Sequence, residues 1–200
     1  VGLTVTMKNN YKYNIGLACM RLQPFHTGHQ RMIDKILSEC KTCYILIGSA
    51  QEQDTERNPI SYVNRKRLLE NYYMHEWISG RLEVMPADDI NDLPNWSKYI
   101  VDKIQPIVEK YYAGTESDAE AFIKYPPNNY PKIEIDILRR EDFPQFISAT
   151  EIRKLFKQNN PVWKLYIPKG NVGITELLLN GEHPFPELEK LEKEMGGEIT

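Results

Sequence analysis

Five short apolar runs rich in β-branched and aromatic residues recur along the chain, at Ile15–Met20, Cys43–Ile47, Arg81–Met85, Tyr111–Ala113 and Ile133–Leu138. Each has the length of a strand. Stretches with helical spacing separate them. Gln30–Cys40 sets Met32, Ile33, Ile36 and Leu37 on one face, Ser61–Met74 carries Leu68, Leu69 and Tyr72, and Trp96–Tyr112 continues the spacing through Ile100, Ile104, Ile107 and Val108. The alternation predicts an α/β fold, a doubly wound parallel five-stranded sheet with helices on both faces. Ligands of such sheets bind beyond the carboxyl ends of the strands, so the strand-to-helix loops are where a site is expected.

A chain of 200 residues can bury a substantial core. It reads as one domain over 1–200, with an α/β core over 11–147 and a C-terminal helical segment over 148–200. That segment ends in the Leu-spaced "ELEKLEKEMGG", where Gly196 and Gly197 suit a helix stop. Val1 to Asn10 is assigned no function. A net charge of −3 supplies no overall basic field, so small anionic ligands fit better than nucleic acid. Three cysteines are too few and oddly numbered for a disulfide framework, and no secretory leader opens the chain, so a reducing cytoplasm is expected. No apolar stretch approaches the roughly 18 to 20 residues of a membrane span.

The sharpest local feature is "RLQPFHTGHQR", residues 21 to 31, which places His26 and His29 around Gly28 just after the first strand. His26 is expected in the loop and His29 in the first turn of the following helix. A helix N-terminus attracts phosphate, Gly28 permits close backbone approach, the imidazoles add donors and Arg21 adds fixed charge. Zinc ligation fits poorly, because the helical zinc motif spaces its histidines four apart around a glutamate. A second helix start lies in "ISATEIRKLF", where Ser148 and Glu151 have capping-box spacing and Arg153 can curl toward an anion at the same end.

Together these two helix starts resemble the H-x-G-H and I-S-x-T-x-x-R signatures of the nucleotidyltransferase superfamily, whose fold is Rossmann-like. Within it, Arg21 to His29, Gly48-Ser49-Ala50-Gln51, Arg57-Asn58-Pro59, "DDINDLPNW" ending at Trp96, "YYAG" ending at Gly114 and the "EMGGEIT" tail resemble the archaeal-type nicotinamide mononucleotide adenylyltransferases. Two departures stand out. Met20 replaces a usual glycine, and Pro59-Ile60-Ser61-Tyr62-Val63-Asn64-Arg65 replaces a usual P-F-T-x-G-E-R.

The resemblance implies attack by the phosphate of nicotinamide mononucleotide on the α-phosphorus of ATP, giving NAD and pyrophosphate without a covalent enzyme intermediate. Such a step needs positioning and charge stabilisation more than a base. His26, His29, Arg21, Arg57 and Arg153 are implied as catalytic, and Gln23, Phe25, Gly28, Ser148 and Thr150 as ATP or phosphate contacts. Gly48, Ser49, Ala50, Gln51, Asp89, Trp96 and Gly114 are implied on the mononucleotide side, with Mg²⁺ bridging ATP phosphates and no dedicated protein metal site. Relatives of this kind form homo-oligomers, so one is expected.

Several readings compete at individual positions. Trp96 could stack on a pyridine ring or pack beneath a helix start. Asp88 and Asp89 could accept from a ribose hydroxyl or solvate a loop, and Thr115 to Asp118 could border the nucleotide or start a helix. Cys40 and Cys43 have half a zinc-site spacing and read as structural thiols. His75 and His183 have no partners at a recognisable spacing. Another phosphorylated acceptor (nicotinate mononucleotide, pantetheine phosphate or flavin mononucleotide) would use the same signatures, and a non-catalytic ATP or NAD sensor is the rival class.

Overall fold

The computed structural model describes residues 10–139, 147–182 and 184. Its strands are β1 (Tyr13–Met20), β2 (Cys40–Ile47), β3 (Leu82–Pro86), β4 (Lys110–Ala113) and β5 (Glu134–Ile137). They pair in the order β3-β2-β1-β4-β5, and every pairing is parallel. The expected doubly wound sheet is therefore present. Strand order reverses between β1 and β4, so the switch point falls at their carboxyl ends.

The helices are α1 (Thr27–Glu39), α2 (Tyr62–Tyr72), α3 (Met74–Ile78), α4 (Leu93–Asp102), α5 (Glu116–Lys124), α6 (Ala149–Lys157) and α7 (Val172–Leu179). Strand side chains alternate between two cores as the pleat requires. Ala18 and Met20 of β1 join Ile33, Ile36, Leu68 and Leu69 on the α1–α2 face. Ile15 and Leu17 join Ile100, Val101 and Phe122 on the α4–α5 face. Close packing of α1 on β1 depends on Gly16, where a Cβ would stand 2.5 Å from the Cys40 Sγ and 2.7 Å from Ile36. A third, smaller cluster of Ile147, Ile152, Trp163 and Ile167 seats α6.

Two helix boundaries differ from expectation. The helix expected over Trp96–Tyr112 is α4, which ends at Asp102. Pro106 lacks an N–H and disfavours helix before it, and Lys110 to Ala113 are taken into the sheet by β1 and β5. The helix expected over Ser61–Met74 breaks after Tyr72, where Tyr73 leaves helical geometry and buries its ring, its hydroxyl donating to Asp34 at 2.7 Å. The "ELEKLEKEMGG" helix and His183 lie outside the described residues. Among the described residues no helix is long and apolar enough to cross a membrane.

The amino end of the sheet is closed by an ionic cluster. Lys110, at the start of β4, places its buried Nζ 3.1 Å from Glu39, 3.2 Å from Asp136 and 3.3 Å from Glu134. Glu39 also receives Lys35 at 2.6 Å and the Tyr112 hydroxyl at 2.7 Å. Burial alone would raise the Glu39 pKa, but these donors outweigh it and bring it down to about 2. Cys40 and Cys43 are buried, with Cys40 Sγ 3.4 Å from the Tyr112 hydroxyl, in keeping with structural thiols.

Candidate active site

The opposite end of the sheet opens into a cleft of about 940 Å³, within the range of small-molecule sites. Its walls come from the ends of β1 and β2, the β3–α4 and β4–α5 loops, and the start of α6. β1 turns into α1 through Leu22, whose φ is 55°, and β2 leaves through Ser49, whose φ is 49°. Left-handed geometry at a non-glycine residue costs on the order of 1–2 kcal/mol. Both loops are therefore held by their surroundings.

His26 caps α1. Its Nδ1 accepts from the Gly28 N–H at 3.1 Å, and the His29 Nδ1 accepts from the His26 N–H at 3.4 Å. With both Nδ1 atoms acting as acceptors, a neutral ring of either residue carries its proton on Nε2. The rings lie 3.8 Å apart, centroid to centroid, and both line the cleft. Burial first, and His26 second, pull the His29 pKa well below its ordinary value. His29 is thus a neutral donor at pH 7. Gly28 lines the cleft, and its N–H is spent on the cap.

The second motif reaches the first across 130 residues. Arg153 Nη1 donates to the Gln23 carbonyl at 2.6 Å, so α6 is tied to the β1–α1 loop. Burial, then the neighbouring Arg21, lowers the Arg153 pKa against an opposing effect of Glu56. Arg21, Arg57 and Arg153 all border the cleft. Three guanidiniums bordering one cleft have the chemistry to attract an anion. Ser148 and Thr150 stand beside them, and Ser148 Oγ accepts from the Glu151 N–H at 3.1 Å. The reciprocal arm of the expected capping box is not formed; the Glu151 carboxylate lies 3.7 Å from Lys154.

The far wall is acidic and aromatic. Asp89 accepts from the Ser49 hydroxyl at 2.7 Å, and its N–H donates to the Gln51 side chain at 3.2 Å. Trp96 borders the cleft while packing edge-on against Phe122, centroids 6.0 Å apart. Gly114 and Gly48 also line the cavity. Thr115 caps α5 by accepting from the Asp118 N–H at 3.1 Å, which leaves Ser117 and Asp118 on the cleft wall. Asp88 turns its N–H to the Tyr99 hydroxyl instead of the cavity. Cys19 sits in the floor, its thiol pushed up to about 12 by burial and then by Asp118 and Asp89. It is no nucleophile.

Three expected contacts lie away from the cleft wall, and a fourth lines it with its amide engaged elsewhere. Phe25 is wholly buried and packs against Tyr72 and Tyr73 in the core. Gln23 borders the cleft, but its amide is committed to the Ile60 backbone in both directions, at 2.8 and 2.9 Å. Ala50 and Gln51 lie beyond the cavity wall, with Gln51 bracing Asp89. Sequence reasoning missed Arg65, which is fully buried and donates to the carbonyls of Arg21, Gly48, Ser49 and Ser61. Burial lowers its pKa to about 10. The signal was there, because Arg65 shares a helical face with Leu68, Leu69 and Tyr72.

No trio of His, Cys, Asp or Glu side chains among the described residues is arranged to hold a metal ion. The basic wall is made of guanidiniums and the imidazoles of His26 and His29, a set whose chemistry suits phosphate.

The comparisons with known proteins fit this geometry. The nicotinamide-nucleotide adenylyltransferase of Thermococcus onnurineus is 30% identical over 154 residues, spanning 77% of this chain and 78% of that protein. The Thermococcus sibiricus enzyme of the same name is 29% identical over 184 residues, spanning 90% and 94%. A bifunctional NMN adenylyltransferase/ADP ribose pyrophosphatase from Francisella tularensis superposes with a TM-score of 0.57 at 22% identity, covering 74% of this chain and 43% of that one. The same enzyme complexed with AMP and a manganese ion gives a TM-score of 0.54. These solved structures share the fold, and this chain spans less than half of their length. The cytidylyltransferase-like family model matches residues 21–155, from the arginine before the paired histidines to the helix that carries Arg153. With both helix starts inside that match and facing one cleft, the chain belongs to the cytidylyltransferase-like family.

Proposed function

We propose that this protein transfers the adenylyl group of ATP to nicotinamide mononucleotide, releasing pyrophosphate and forming NAD. The observation that carries the reading is the Arg153–Gln23 bond. It fastens two phosphate-attracting helix starts to one cleft, basic on one wall and acidic and aromatic on the other. Residues 1–200 act as a single catalytic unit in this reading, assembled as a homo-oligomer that light scattering would detect.

An oxygen of the mononucleotide phosphate attacks the α-phosphorus, the bond to the β-phosphate oxygen breaks, and pyrophosphate leaves with the electron pair. The attacking group is already anionic, so no side chain has to remove a proton. Arg21, Arg57 and Arg153 bind the β and γ phosphates and the charge that collects on the leaving group. His26 and His29 donate from Nε2 to the α-phosphoryl oxygens. Because His29 is neutral, it adds a hydrogen bond from its Nε2–H without adding a full charge. Ser148 and Thr150 complete the phosphate cradle. Mg²⁺ bound to the ATP phosphates would neutralise part of their charge, and the three arginines would meet the remainder.

On the opposite wall, Trp96 offers an aromatic face to the pyridinium, and Asp89 accepts from a ribose hydroxyl or the carboxamide. Gly48, Ser49 and Gly114 let backbone approach the acceptor.

The reading is tested with ATP and Mg²⁺ in parallel reactions containing nicotinamide mononucleotide, nicotinate mononucleotide, pantetheine phosphate or flavin mononucleotide. NAD and pyrophosphate in equal amounts from the first acceptor are expected. Product from another acceptor alone keeps the phosphate wall and discards the acceptor. Silence from every acceptor in a folded, ATP-binding protein favours a sensor.

A further inference from the structure

A single guanidinium stands behind both ends of the cleft. Arg65 has no exposed surface and does not line the cavity. Its Nη1 donates to the carbonyls of Arg21 and Gly48, each at 2.8 Å, and its Nη2 to that of Ser49 at 3.0 Å. Its Nε donates to the Ser61 carbonyl at 3.2 Å, which fixes the fork relative to its own helix. The carbonyls of Arg21 and Gly48 each directly precede a left-handed non-glycine residue, Leu22 and Ser49. The fork therefore grips the backbone at the two points where β1 and β2 turn into cleft-forming loops.

Each grip leads to a different wall. The first holds Arg21 and the loop running to His26 at the phosphate end. The second holds Ser49, whose hydroxyl donates to Asp89 at the acceptor end. A lysine retains the charge, but its three N–H donors radiate from one nitrogen, so it cannot span the four carbonyls that the planar fork reaches from three separate nitrogens.

We propose that Arg65 is a positioning residue that sets the phosphate wall and the acceptor wall of the cleft relative to one another, by holding the Arg21–Leu22 and Gly48–Ser49 backbone from behind. The acceptor arm rests on the proposed NAD-forming reaction; the phosphate arm does not.

The test measures Mg·ATP binding and nicotinamide mononucleotide binding separately by calorimetry, with kcat and both KM values, in wild type, Arg65→Lys and Ser49→Ala. Small misplacements of bound groups cost about 10²-fold in rate, and a drop of that order in kcat/KM is expected for Arg65→Lys. Weakened binding of both ligands and a rise in both KM values should accompany it. Ser49→Ala should weaken mononucleotide binding and leave Mg·ATP binding unchanged. An arginine that merely supports the fold would lower the melting temperature while leaving affinities and KM values of the folded protein as they were; that pattern overturns the proposal. If Arg65→Lys does not fold, Ser49→Ala decides, and unchanged mononucleotide affinity there overturns it. If wild type binds Mg·ATP but makes no NAD, the acceptor assignment fails, and the Mg·ATP affinity of Arg65→Lys still decides the phosphate arm.

Discussion

At the amino end of the sheet Lys110 meets three carboxylates within 3.3 Å, and Glu39 is shared between two lysines and a tyrosine. At the carboxyl end Arg21 and Arg57 form no ion pair with any described residue, and Arg153 is held by a backbone carbonyl. Both ends concentrate charge, but only the first satisfies it internally. A basic cluster whose charges answer one another closes the fold, whereas one left short of carboxylates is kept for an anion from outside. The same contrast holds for backbone strain. Leu22 and Ser49 sit at the carboxyl end, and the residues of the ionic cluster have ordinary dihedrals.

The contrast breaks most visibly at Arg153. Arg153→Ala should lower kcat by about 10²- to 10³-fold, the loss typical of one preformed electrostatic contact to a transition state. Circular dichroism should stay native, since the side chain is half-buried and its partner is a single carbonyl. An unchanged rate in the folded variant would remove Arg153 from the mechanism.

The amino end should respond in the opposite way. Lys110→Met removes the buried cation shared by Glu39 and Asp136, leaves them only the more exposed Lys35 in common, and should destabilise the fold by about 2–3 kcal/mol. That lies below the usual loss for a broken buried pair, because these carboxylates keep some contact with water. Chemical denaturation measures it, and kcat per folded molecule should not move. The pH dependence follows from Glu39. Its pKa is depressed on folding, so its contribution is complete above about 4.5 and is lost as pH falls toward 2. Denaturation midpoints over that window should fall in wild type and fall less steeply in Lys110→Met.

The smallest expected effect belongs to His29. Its folded pKa is depressed, so below its ordinary pKa the unfolded chain takes up a proton that the folded ring refuses. Stability of the unliganded protein should therefore decline as pH drops below about 6.5, and His29→Gln should flatten that decline. Equal slopes in the two proteins would contradict a neutral His29.

What the sequence disclosed followed from how locally each signal is encoded. The strands were legible because β-branched runs and the pleat share one period, and the two helix starts were legible because caps are written within four residues. The side-chain directions of Phe25 and Gln23 were not legible, because adjacency to a motif says nothing about which way a side chain points. One goes to the core and the other to Ile60. The end of α4 was set by Pro106 and by strand pairing, against an apolar spacing that runs on. The ionic cluster was invisible because Glu39 of α1, Lys110 of β4 and the β5 pair Glu134 and Asp136 are far apart in sequence and meet only once β4 lies between β1 and β5. Arg65 was visible as a position on a buried face, but its partners are backbone carbonyls, which leave no mark in a sequence.

The most direct test supplies Mg²⁺, ATP and nicotinamide mononucleotide carrying ¹⁸O in its phosphate, and follows the label by mass spectrometry. The account predicts one pyrophosphate for each NAD, with all of the label in NAD and none in pyrophosphate. Label in pyrophosphate, or no NAD from a folded protein that binds ATP, would contradict it.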